Sequence, residues 1–81
     1  MRVTVIAPDR SVFDGEASAL VAPAYDGLVG ILPGHAPFLT LLGTGPLTIT
    51  QGGSSNRFSV DGGFLQVVGD TVRVVAERAD T

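Results

Sequence analysis

The sequence contains a single histidine, His35, and no cysteine. Acid–base, nucleophilic or metal chemistry must therefore be built from that imidazole, carboxylates and hydroxyls. Ser11, His35 and an aspartate would make a nucleophile–base–orienter triad on paper. The chain has no nucleophile elbow, and 81 residues leave little core in which to enclose a cleft. Asp14 and Glu16, two residues apart, would share a strand face as an acid–base pair; the plainer reading of VFDGE is a solvated turn. A metal site needs three or four ligands. The candidate carboxylates Asp9, Asp14, Glu16 and Asp26 are spread over turn-like segments, where such side chains usually bond nearby backbone N–H groups. Asp61–Gly62–Gly63 lacks the lysine and helix that a phosphate-binding loop requires. The expectation is a chain with no catalytic residue, no metal and no cofactor.

His35 stands in the stretch GILPGHAPF, Gly30 to Phe38, between two prolines. The stretch is too apolar for a solvated loop and too rich in proline for a helix or central strand. Leu32–Pro33–Gly34–His35 fits a type II turn, with proline presetting φ at the second position and glycine supplying positive φ at the third. Pro37 biases Ala36 toward an extended conformation. Two readings stand side by side. One is a covered loop whose histidine bonds a backbone carbonyl. The other is a stiff docking loop anchored by Ile31 and Leu32, which loses little entropy on binding.

Hydrophobic residues make up 44% of the chain and charged residues 16%, which excludes a disordered segment. Net charge is −3 and there is no lysine, which argues against a phosphate-backbone or nucleic-acid partner. The apolar run at the N-terminus breaks at Pro8 and Asp9, unlike a signal peptide, and no run approaches the roughly 20 apolar residues of a membrane span. Short segments rich in Val, Leu, Ile and Thr read as strands: Val3–Ala7, Ser18–Ala22, Pro46–Thr50, Arg57–Val60, Phe64–Val68 and Thr71–Glu77. Turn signals punctuate them at Asp14–Gly15, Asp26–Gly27, Gly52–Gly53, Asp61–Gly62 and Gly69–Asp70. The spacing predicts a single all-β domain over residues 1–81, a sandwich or barrel. Alternation places Phe64, Gln66 and Val68 on the side away from Leu65 and Val67, and Val75 between Arg73 and Glu77. Apolar residues on outward faces of neighbouring strands would form a patch for another protein.

Asp26 to Ile49, DGLVGILPGHAPFLTLLGTGPLTI, resembles the signature segment of the epsilon subunit of F-type ATP synthases. VFDGEASALVAPAYDG upstream and FSVDGGFLQVVGDTVRVVAE downstream extend the resemblance from about Val3 to Glu77. The resemblance implies a small flattened two-sheet antiparallel β-sandwich with no chemistry of its own. It implies a central-stalk rotor subunit that joins the gamma subunit to the membrane c-ring during proton- or sodium-driven ATP synthesis. It also implies a peripheral position at the cytoplasmic face of a bacterial inner membrane, with the free chain monomeric. Carried over by position, Asp26, Gly27, Leu28, Val29, Gly30 and Ile31 face the c-ring. Ala7, Leu32, Pro33, Gly34, His35 and Thr40 lie on the gamma side. Members of the family often carry an acidic residue where this chain has Leu28, which implies a less electrostatic ring contact, with Asp26 supplying some of the charge. Full-length members continue into a C-terminal helical hairpin that can restrain rotation. Since this sequence stops at ERADT, the expectation is no C-terminal helical domain, no inhibition by it and no nucleotide binding.

Two other classes remain open on the residues alone. A carbohydrate- or peptide-binding sandwich would display an aromatic platform, yet Phe13, Phe38, Phe58 and Phe64 all lie in apolar contexts that favour burial. A small hydrolase would depend on His35.

Overall fold

A computed structural model describes residues 1–80. Eight strands make up the fold: β1 (Arg2–Ala7), β2 (Arg10–Glu16), β3 (Ala19–Ala24), β4 (Gly27–Ile31), β5 (Phe38–Leu41), β6 (Thr44–Gln51), β7 (Ser54–Val68) and β8 (Thr71–Asp80). They join in the order β2-β1-β8-β7-β6-β3-β4, and β5 pairs with β7 outside that path. All pairings are antiparallel except β1 with β8, which run parallel in the register Val3↔Val72 and Val5↔Val74.

The sheet folds over on itself as a β-sandwich. Phe13 of β2, at one end of the path, meets Phe58 of β7 edge to face, with ring centroids 6.2 Å apart. Val3 and Val5 of β1, Leu20 of β3, Ile31 of β4, Leu47 and Ile49 of β6, and Leu65 and Val74 of β7 and β8 share one buried cluster. Each such side chain contributes roughly 1.5–3 kcal/mol by leaving water. Among the described residues, no polar or charged residue is buried.

Most turns fall where glycine permits them. The β6–β7 hairpin turns at Gly52 (φ 60°), and β7–β8 turns at Gly69 (φ 58°). Two expected turns are absent. Asp14–Gly15 lies inside β2, opposite Thr4 and Val3. Asp61–Gly62 lies inside β7, so the segments read as two strands, Arg57–Val60 and Phe64–Val68, form one. The reason is pairing with β8 on both sides of Gly62, Asp61↔Arg78 and Gly63↔Ala76, which keeps the two segments in one strand.

Those glycines still change the strand. Phe58 and Val60 point into the core before them, and Leu65 and Val67 after them, so the inward side switches parity. β8 switches at the same place, from Val72, Val74 and Ala76 to Ala79. The positive φ values of Gly62 and Gly63, 67° and 105°, accommodate that switch. It lets one two-stranded ribbon serve both layers of the sandwich.

Candidate docking surface

The outward faces of β1, β8, β7 and β5 line up residue by residue. Register sets Ile6 beside Val75, Val75 beside Phe64, and Phe64 beside Leu41, giving an apolar row across four strands. The row beside it runs Thr4, Arg73, Gln66, Leu39. Leu39 and Leu41 are 66% and 63% exposed, and Val68 is 58% exposed. This is the outward apolar patch that the alternation of β7 and β8 anticipates, enlarged by β5.

Beyond β5 the surface continues onto the β3–β4 hairpin. The Tyr25 N–H donates to the Leu41 carbonyl at 3.1 Å, and Ala24 bridges to Leu42. Past that junction the hairpin and β5 separate. An open groove of about 1070 Å³ lies between them, with Tyr25, Leu28 and Val29 on one side and Phe38, Leu39 and Leu41 on the other. Asp26 is the one charged residue in its lining. Tyr25 and Leu28, at the hairpin tip, are 69% and 68% exposed. Exposed apolar surface gathered on one side of a small domain marks an interaction site.

The loop between β4 and β5 flanks this region. The His35 N–H donates to the Leu32 carbonyl at 3.1 Å, and Gly34 has φ 85°, the signature of a type II turn. The His35 Nδ1 lies 2.7 Å from the Ala36 carbonyl oxygen. Since a carbonyl only accepts, Nδ1 is the donor in this contact. The imidazole also meets the Phe38 ring edge to face at 5.6 Å. The loop is not covered: its histidine bonds a backbone carbonyl, but Leu32, Pro33, Gly34, Ala36 and Pro37 are exposed, Leu32 at 63%.

The site residues named from the sequence separate into three groups. Asp26, Leu28, Val29 and Thr40 line the groove together. Gly27, Gly30, Pro33 and Gly34 are exposed on the hairpin and the adjoining turn, and His35 is half-buried beside them. Ile31 and Ala7 are the exceptions: at 1% and 5% exposed, their side chains belong to the core. Ile31 is therefore not an outward anchor; the alternation of β4 turns it inward opposite Leu20, leaving Leu32 as the exposed member of the pair. Tyr25, Leu39 and Leu41 complete the surface and were not singled out from the sequence.

Among the described residues, the groups considered for other chemistries lie apart. Ser11 lies on β2 opposite Ile6, and no hydrogen bond joins it to His35. Among the described residues, no three His, Asp or Glu side chains converge on a metal position. Carboxylates near the N-terminus pair instead with cations: Asp14 with Arg2 at 2.6 Å, and Glu16 and Asp70 with the Met1 amine at 3.4 and 3.9 Å. The Arg2–Asp14 pair is exposed on both sides and contributes at most about 1 kcal/mol.

Residues 1–81 match the family described as "ATP synthase, Delta/Epsilon chain, beta-sandwich domain". The chain is similar to the ATP synthase epsilon chain of Solibacter usitatus, 44% identical over 80 residues, which are 99% of this chain and 60% of that one. It is also similar to the epsilon chain of Leptospira borgpetersenii, 40% identical over 78 residues, covering 96% and 61% of the two chains. The chain thus spans about 60% of the length of these relatives. Among solved structures, a chain of the Euglena gracilis mitochondrial ATP synthase, in an assembly of OSCP, F1 and c-ring, superposes with a TM-score of 0.88 at 25% identity, over 95% of this chain and 50% of that one. A chain from the central stalk and c-ring of the Tetrahymena thermophila enzyme shares the fold at 21% identity, with a TM-score of 0.82 over 96% and 63% of the chains. With the family signature spanning its whole length and the matching sandwich beneath it, the chain belongs to the ATP synthase delta/epsilon β-sandwich family.

Proposed function

We propose that this chain is a non-catalytic coupling element of an F-type ATP synthase rotor, joining the gamma subunit to the c-ring. The observation that carries the reading is the exposed apolar surface that gathers Leu39, Leu41, Phe64 and the β3–β4 hairpin on one side of the domain. The names of its relatives and the central-stalk and c-ring assemblies containing its structural neighbours support the same role.

Two adjoining parts of the surface divide the work. The hairpin tip, Asp26 to Gly30 with Tyr25, meets the polar loops of the ring. The outer rows of β5, β7 and β8, with the Leu32–His35 turn and Thr40, meet gamma. Ile31 and Ala7 support these surfaces from the core. Torque passes through the domain because its contacts are held by paired strands and a proline-stiffened turn, so little motion is lost in loops. The domain binds no nucleotide and follows the rotor to the cytoplasmic face of a bacterial inner membrane.

The absence of cysteine makes the test clean. Leu28→Cys is expected to cross-link to the ring subunit and Leu41→Cys to gamma within the assembled synthase. Failure of both to reach any synthase subunit would overturn the reading.

A further inference from the structure

The geometry points to β-strand addition as the docking mode: an extended segment of the gamma subunit pairs with the open edge of β5. The inference rests on the proposed gamma contact and specifies its chemistry.

The phase of the β5–β7 ladder identifies which backbone groups are open. The Leu42 N–H donates to the Gly63 carbonyl at 3.0 Å, so Leu42↔Gly63 is a hydrogen-bonded rung. In an antiparallel pair such rungs alternate. Thr40↔Leu65 and Phe38↔Val67 are therefore the next bonded rungs, and the backbone groups of Leu39 and Leu41 point away from β7. The Leu41 carbonyl confirms the phase, since it accepts from the Tyr25 N–H on that outer side. The Leu39 N–H and C=O and the Leu41 N–H remain, and among the described residues β5 has no second strand to take them.

Open edges are normally guarded by charge, bulges or poor strand formers. β2 carries Arg10, Asp14 and Glu16 along its edge, and its pairing with β1 shifts register between Val5 and Ile6. β4 carries Gly27 and Gly30, which weaken a strand. β5, Phe-Leu-Thr-Leu, has neither charge nor glycine. Its edge also borders the apolar groove, whose single charge is the Asp26 carboxylate. The complementary occupant is an extended segment with apolar residues at alternate positions and no acidic residue. Main-chain bonds to Leu39 and Leu41 give it affinity, and the groove selects its side chains.

Amide hydrogen exchange of the full chain, alone and in complex with the gamma subunit of the same synthase, tests the mode. In the free chain the Leu39 and Leu41 amides exchange rapidly, while Leu65, Val67 and Val74 report an intact fold. In the complex, protection at Leu39 and Leu41 rises at least about 100-fold. A complex that forms while both amides stay unprotected overturns strand addition and leaves the gamma contact standing. Absence of any complex overturns both. As a second arm, Leu39→Pro removes an outward N–H that the domain itself does not use, whereas Leu39→Ala removes only side chain. Proline is expected to weaken the complex at least tenfold more than alanine, and equal weakening overturns the inference.

Discussion

Gly63 lies directly against the backbone of Val75: a Cβ added to it would collide with the Val75 carbonyl oxygen and come within 2.9 Å of the Ala76 Cα. Its neighbour Gly62 would meet only the end of the Glu77 side chain, which can swing aside. Both glycines have positive φ, but only Gly63 is enclosed by backbone. Gly63→Ala is therefore expected to cost about 3 kcal/mol or more, and Gly62→Ala about 1–2 kcal/mol. Urea unfolding of the two variants measures the difference, and equal losses would contradict this account of the β7–β8 crossing.

Ile31 and Leu32 are consecutive and almost isosteric, yet one is buried and the other exposed. Ile31→Ala is expected to destabilise the domain by about 2–5 kcal/mol. Leu32→Ala is expected to shift stability by no more than about 0.5 kcal/mol, as at other exposed positions. Thermal unfolding distinguishes them, and a large loss from Leu32→Ala would mean that the turn is part of the core after all.

Leu28 gives the hairpin tip an apolar character. Association with the ring is expected to weaken less than about threefold between 50 and 300 mM salt, because no charge pair at position 28 is available to be screened. Leu28→Glu is expected to make the same association markedly salt-sensitive. A steep salt dependence of the unaltered chain would assign the contact to Asp26 instead.

Every described element is a strand, so no helix N-terminus is available among the described residues to hold phosphates, and the chain has no lysine. Millimolar ATP is expected to leave the melting temperature unchanged. At 100 times its dissociation constant, a ligand of the folded state would add about 2.7 kcal/mol and raise the melting temperature by several degrees. Such a rise would contradict the reading.

The sequence is most informative where one residue type has one physical use. Gly34 after Pro33 allows little but a type II turn, and the structure contains it. Leu47 and Ile49 alternate with threonines, and their burial follows. Legibility fails where tertiary pairing overrides a local signal. Asp14–Gly15 and Asp61–Gly62 read as turns but are held in strands by β1 and β8. The candidate surface was half legible. Phe64 and Val68 stand out as apolar residues on the outward side of an alternating strand, although the apolar context of Phe64 argues for burial and it is 37% exposed. β5 does not, because Phe38, Leu39 and Leu41 place apolar residues on both of its sides and it is only four residues long. Tyr25 stays hidden for a different reason: an aromatic residue at a turn gives no sign of its exposure until the hairpin and β5 are seen to part.

The account depends most on the outer row that ends at Leu41. The direct measurement is the affinity of the full chain for the gamma subunit, with and without Leu41→Asp, alongside the melting temperature of each. The expected result is binding at about 1 μM or tighter, weakened at least tenfold by Leu41→Asp with the melting temperature unchanged. No association with gamma at micromolar concentration, or undiminished binding by Leu41→Asp, would contradict it.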